Sequence, residues 1–235
     1  MSEMENLFNE DFLLPNLKGA AYFILLYEHF EDVVISTVKD FYCDICILDG
    51  VEYSDIDDDY IKALRVKVAN QEADYPIPFD MQLKQAEKRR EKYKQEVFHP
   101  KESLLDEYKG GTRLKGSLIW LLENEVLSET EIRRVMQIRD RRNVIVHELF
   151  SVLSEGLTEE DAKMIAELLS FNQRINSWRF QEIEMPCMGY ELPEGATPED
   201  VMGGDDVLLS GLFRILFLDE GEKFKELLEK QATNE

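Results

Sequence analysis

The chain has 235 residues, 44% of them hydrophobic, and a formal net charge of −22 at pH 7. That length supports a buried core. No apolar run approaches ~18 residues, which argues against a transmembrane helix, and a uniformly acidic surface repels phosphate, which argues against a general nucleic-acid coat protein. The acidic start Met1-Ser2-Glu3-Met4-Glu5 lacks the basic stretch of a secretory leader. Cys43, Cys46 and Cys187 are an odd set without framework spacing, so the expectation is a cytoplasmic protein with reduced thiols.

From Leu17 to about Leu48 runs a segment rich in aromatic and β-branched residues. Its length, and the lack of turn residues before Asp49-Gly50, predict a buried helix with Gly50 as its stop. Residues 56–73 and 80–97 predict two more helices flanking the break at Tyr75-Pro76-Ile77-Pro78. After the turn Lys109-Gly110-Gly111-Thr112, the residues Leu114, Leu118, Ile119, Leu121 and Leu122 predict another. Ser128-Glu129-Thr130-Glu131 has the pattern of a capping box; it opens a helix expected to reach about Leu153, with Gly156 at its exit. Thr158-Glu159-Glu160-Asp161 opens the next, whose apolar face is expected from Ile165, Leu168, Leu169, Ile175 and Trp178. Pro- and Gly-rich residues 185–204 predict a loop, followed by a last helix or pair over 208–228. Nothing alternates cleanly enough for a sheet, so the expected fold class is all-α.

Charge is unevenly placed. Residues 84–94 and the set Arg133, Arg134, Arg139, Arg141 and Arg142 are basic, whereas 55–59, 155–161 and both ends are acidic. This leaves room for a basic cleft in an acidic body; the alternative for 84–94 is a solvated helix of alternating charge.

The stretch Arg139-Asp140-Arg141-Arg142-Asn143-Val144-Ile145-Val146-His147-Glu148-Leu149 carries the most chemistry. Val135, Ile138, Ile145, Leu149 and Val152 recur with helical spacing and define one buried face. Arg142 falls in the gap of that stripe, where a guanidinium needs a partner or a wet cleft. Arg139, Asn143 and His147 follow at steps of four as an adjoining polar stripe.

Arg142-Asn143-Val144-Ile145-Val146-His147 resembles the arginine-x4-6-histidine signature of HEPN domains (higher eukaryote and prokaryote nucleotide-binding), and its flanks are similar to the ribonuclease-type members. Tyr27-Glu28-His29-Phe30-Glu31 resembles the tyrosine-x-histidine-aromatic-glutamate pattern in the first helix of one HEPN subgroup. The resemblance covers the first helix and residues 113–182. It implies an up-and-down four-helix core within residues 1–184, a helical insertion at about 50–110, and a C-terminal helical extension over 185–235. Two departures stand out: Glu148 follows His147 where many ribonuclease-type members carry asparagine or glycine, and Leu149 stands where toxins regulated by a nucleotidyltransferase carry tyrosine.

Phosphodiester cleavage by 2′-hydroxyl attack needs a proton acceptor or donor and a cation for the charge growing on phosphorus. Histidine suits the first task near neutral pH and arginine the second. Residues five apart on a helix diverge by roughly 140°, so Arg142 and His147 of one chain do not converge; two copies about a two-fold axis can bring both pairs together. The resemblance implies such a composite dimer site. The candidates are His147 as general acid/base, Arg142 as transition-state stabiliser, and Asn143 as orienting group. Arg139 and Arg141 are candidate phosphate contacts, with His29 and Glu31 in support. No metal or cofactor is expected: Cys43-Asp44-Ile45-Cys46 is a lone CxxC lacking two further zinc ligands, and Gly203-Gly204 lacks the lysine of a phosphate loop. The expected activity is a metal-independent endoribonuclease acting on RNA as a homodimer, in toxin–antitoxin or anti-phage defence, with an antitoxin or defence-system protein as partner. The alternatives are a non-catalytic HEPN interaction module, or an acidic neutralising partner of a basic protein.

Overall fold

The computed structural model describes residues 3–72, 77–99, 104–108, 111–188, 192, 195–197, 200 and 203–218. The chain is mostly helical. In order it forms α1 (Glu3–Asn6), α2 (Glu10–Tyr42), β1 (Ile45–Leu48), β2 (Val51–Ser54), α3 (Asp58–Ala69) and α4 (Phe79–Tyr93), which runs on into a π-helical turn over Lys94–Phe98. Then follow α5 (Thr112–Glu123), α6 (Glu129–His147), α7 (Leu149–Glu155) and α8 (Glu159–Arg179), extended by a second π-helical turn over Phe180–Glu184. Last come α9 (Met185–Met188) and α10 (Gly204–Phe217). The chain divides into two compact units, one of residues 1–33 with 133–235 and one of residues 34–132.

The expectation of no sheet is corrected at one place. β1 and β2 pair antiparallel, Ile45 opposite Ser54 and Leu48 opposite Val51. Asp49 (φ 54°) and Gly50 (φ 78°) make the two-residue turn between them. Positive φ at both central positions matches the right-handed twist of the flanking strands, and an Asp-Gly pair tolerates it. Gly50 therefore turns a hairpin rather than ending a helix, and α2 stops at Tyr42. At its other end α2 begins before the expected Leu17 and carries Pro15 inside it.

In the unit of residues 34–132, Tyr60 and Ile61, Leu64 and Ala86 form a buried cluster; Cys46, Leu48, Tyr53, Phe79 and Leu83 pack against it. β1 thus turns one side chain in two inward, and Ile45 and Ile47 face outward. The basic segment of α4 is a solvated helix tied to acids. Arg89 pairs with Asp44 at 2.9 Å and with buried Asp55, Arg65 with Glu87 at 2.8 Å, and Arg90 with Asp58. Burial pushes the Asp55 carboxyl up, against the opposing pull of Arg89.

In the other unit, Tyr22, Phe23, Leu26, Tyr27 and Phe30 of α2 are buried, as are Val135, Met136, Ile138 and Ile145 of α6. Each of the aliphatic, Phe and Met side chains among them contributes about 1.5–3 kcal/mol of burial. Phe30 meets Phe171 of α8 at 6.4 Å, and Tyr22 meets Phe213 and Phe217 of α10 at 5.4 and 5.8 Å. The face of α8 is Met164, Leu168, Phe171 and Ile175; Leu169, expected on it, is exposed. The helix expected to run from the capping box to Leu153 is broken at Glu148, so α6 ends on His147 and α7 restarts at Leu149. The segment expected as a loop from 185 begins with the short helix α9.

Candidate functional site

All the sequence-selected residues lie in the unit of residues 1–33 and 133–235. The box at the start of α6 is formed: the Ser128 amide donates to Glu131 Oε2 at 2.8 Å, and the Glu131 amide to Ser128 Oγ at 3.4 Å. With its entry fixed, α6 buries Val135, Ile138 and Ile145 of the apolar stripe and turns Arg142 toward α2.

Arg142 is three-quarters buried. Its guanidinium lies 5.5 Å from the centre of the Tyr27 ring, makes an ion pair with Glu28, and donates from Nη1 to Asn143 Oδ1 at 2.9 Å. Its Nε is buried without a hydrogen-bond partner among the described residues. Arg139, one turn earlier, and Glu31, one turn after Tyr27, also bear on that ring electrostatically. Burial, then the charge of Glu31, pushes the Tyr27 hydroxyl far above its ordinary range, and Arg139 and Arg142 oppose this. Tyr27, Glu28 and Glu31 of α2 and Arg139, Arg142 and Asn143 of α6 therefore form one polar constellation over a buried aromatic ring.

His147 is not part of it. It is exposed at the last position of α6, and among the described residues it makes no hydrogen bond or ion pair. Exposed Val144, Val146 and Phe150 surround it in sequence, Phe150 being 79% exposed.

Arg141 is committed elsewhere. It donates from Nε and Nη2 to the two carboxylate oxygens of Asp161 at 2.6 and 2.9 Å. Asp161 is buried and also accepts from the amide and hydroxyl of Thr158, both at 2.8 Å, closing the capping box of α8. Burial pushes its carboxyl up, but Arg141 and Thr158 outweigh that and hold it below the usual aspartate range. Arg134 is likewise bound, to Glu167 at 2.7 Å and to Glu160. Of the arginine cluster from which a basic cleft was anticipated, Arg134, Arg141 and Arg142 are thus each paired with a carboxylate.

His29 and Glu31 do not pair with each other. His29 Nε2 meets Asp206 Oδ1 at 3.1 Å, and Asn176 donates to the other oxygen of Asp206. These three side chains border a separate cleft of about 370 Å³ that Arg179 and Phe180 also line. Sequence reading missed Glu28 and Asp161 as the acids that bind Arg142 and Arg141. Glu28 lay within the quoted first-helix pattern; Asp161 had a signal only as a helix-start residue.

Among the described residues no group of three or more His, Cys, Asp or Glu is placed to hold a metal ion, and no helix is long and apolar enough to cross a membrane. No protein-family model, curated protein or solved structure matches the chain.

Proposed function

We propose that this protein is a metal-independent endoribonuclease of the HEPN type, an up-and-down four-helix bundle whose site is completed by a second copy of the chain. The observation that carries this reading is the meeting of two segments far apart in sequence. Arg142 of the motif helix rests on Tyr27 and pairs with Glu28, both within the first-helix stretch that resembles the same family. A cation held against a π face keeps its orientation while its charge stays available to an anion.

Energetics select which arginine can serve. Glu28 is about half exposed, and ion pairs of that kind are worth about 0–1 kcal/mol. A substrate phosphate, which accepts two parallel N–H bonds from a guanidinium, can replace it. Arg141 cannot be released so cheaply, because breaking a pair with a buried carboxylate costs about 3–5 kcal/mol. Arg142 is therefore the phosphate-binding residue, Asn143 fixes its orientation, and Arg139 adds positive charge beside it.

In the reaction, the 2′ oxygen attacks phosphorus and the P–O5′ bond breaks, leaving a 2′,3′-cyclic phosphate and a 5′-hydroxyl. One exposed His147 takes the 2′ proton and the copy from the partner subunit protonates the 5′ oxygen. Arg142 stabilises the charge that builds on the non-bridging oxygens. Val144, Val146 and Phe150, left exposed beside His147, suit contact between the two copies.

The test expresses the wild-type chain, Arg142→Ala and His147→Ala, and follows growth and RNA integrity. Growth arrest and RNA decay that both substitutions relieve are expected; equal RNA decay from all three proteins would falsify the reading. A second reading, a HEPN module that dimerises without catalysis, draws on the carboxylates that neutralise Arg134, Arg141 and Arg142. It predicts dimers in solution and intact RNA from every variant.

A further inference from the structure

A second cavity, of about 430 Å³, lies in the unit of residues 34–132, among the end of α2, the π-helical turn after α4, and α5. Three of its walls are aromatic rings. Phe41 and Trp120 stand 4.8 Å apart at 56°, Phe41 and Tyr42 5.3 Å apart at 81°, and Tyr42 and Trp120 6.1 Å apart at 66°. Phe41 is 43% exposed, next to buried Tyr42. The rings are held in place: Trp120 Nε1 donates to the Tyr42 hydroxyl at 2.7 Å, and that hydroxyl donates to Glu96.

The rest of the lining is polar. Glu96 and Glu123 supply two carboxylates beside Gln95, Asn124 and the imidazole of His99, opposed by the ammonium of Lys92. Lys92 Nζ sits 5.5 Å from the centre of the Tyr42 ring, 3.9 Å from Glu96, on a side chain that is mostly exposed. The protein thus places one of its own ammonium groups where a cation is attracted by a ring face and a carboxylate together. A flexible exposed lysine holds that position weakly and can be displaced.

We propose that this cavity binds a small organic ammonium ion, enclosed by the faces of Phe41, Tyr42 and Trp120 and neutralised by Glu96 and Glu123, in the place that Lys92 fills in the free protein. The negative ring faces and two carboxylates favour a cation and disfavour a phosphorylated ligand. The volume suits a small ligand. Lys92 acts as an internal competitor, so the bound ion must push it toward solvent.

Choline is the probe, because 3,3-dimethylbutan-1-ol has its shape without its charge. The chain has two tryptophans, so the full-length Trp178→Phe protein makes Trp120 the sole reporter. Choline should change its fluorescence saturably, and the neutral alcohol should not. In the same background Phe41→Ala and the exposed Glu123→Gln should each weaken choline binding at least tenfold, with unchanged far-UV circular dichroism. Lys92→Met should tighten it several-fold, which a general loss of structure would not do. Equal response to choline and the alcohol, a response to adenosine without one to choline, or no saturable choline signal in either the parent or the Lys92→Met protein would each overturn the proposal.

Discussion

The guanidinium of Arg142 lies over the face of Tyr27, 5.5 Å from the ring centre. The buried phenol packs against the cation, while half-exposed Glu28 neutralises it. Tyr27 cannot itself compete as an anion, because burial and Glu31 keep its hydroxyl protonated. The arrangement separates orientation, supplied by α2's aromatic ring, from charge neutralisation, supplied by a carboxylate that can leave.

Glu28→Gln should therefore strengthen RNA binding. Removing a half-exposed competing carboxylate is worth about 0.2–1 kcal/mol, so the expected gain in affinity is roughly 1.4- to fivefold. Filter binding to a short single-stranded RNA at fixed salt measures it. Unchanged or weaker binding in a folded Glu28→Gln protein would remove Arg142 from the list of phosphate contacts.

His147→Ala should act on rate alone. The ring is exposed and makes no hydrogen bond or ion pair among the described residues, so its loss should leave the unfolding midpoint within about 0.5 kcal/mol of wild type. General acid–base work predicts a fall of about 10²–10⁴ in cleavage rate. Fluorogenic RNA cleavage beside a thermal melt separates the two effects. A lowered midpoint with an unchanged rate would assign His147 to structure.

Arg141→Met should do the opposite. It strips the partner from a buried carboxylate that also caps α8, and the expected cost is about 3 kcal/mol, the lower part of the buried-pair range because Arg141 is about a quarter exposed. The pH dependence follows from the direction of the Asp161 shift. Its carboxyl lies below the ordinary value of 3.8 in the folded protein. This stabilisation is fully present above the unfolded pKa and is lost as pH falls through the folded one. In thermal melts between pH 7 and pH 2 the gap between wild type and Arg141→Met should narrow as pH falls below the unfolded aspartate range. A constant gap across that range would mean that the substitution acts through packing instead.

What the sequence made legible was periodicity and local capping. Val135, Ile138 and Ile145 are buried as their spacing required, and the box at Ser128 and Glu131 is formed, because both depend on neighbours within a turn or two. The demand that Arg142 find a partner also followed from its place in an apolar stripe. Which acid answered it did not, since Glu28 lies 114 residues away and only packing brings it near. The same holds for Arg141 and Asp161. Leu168 and Ile175 are buried as expected, but Leu169 was misassigned because the face between them runs through Phe171, where Phe30 supplies a counterpart. The hairpin was a different failure: the Asp49-Gly50 signal was present, but the apolar run ahead of it had the length of a helix.

Gly116 supplies a test of the other unit. It is buried in α5 against the π-helical turn, and a methyl group built on it would overlap the backbone carbonyl of Val97. A backbone atom cannot swing aside as a side chain can, so either α5 or the turn must move. Gly116→Ala should cost about 1–3 kcal/mol as an overpacking substitution, even though alanine is the better helix former by ~1 kcal/mol. Glu96 precedes Val97 in the same turn, so its bond from Tyr42 should be disturbed as well. The expected outcome is a lower unfolding midpoint together with an altered Trp120 emission in a Trp178→Phe background. A more stable protein with unchanged emission would mean that helix propensity wins and that the contact between α5 and the turn is looser than its geometry implies.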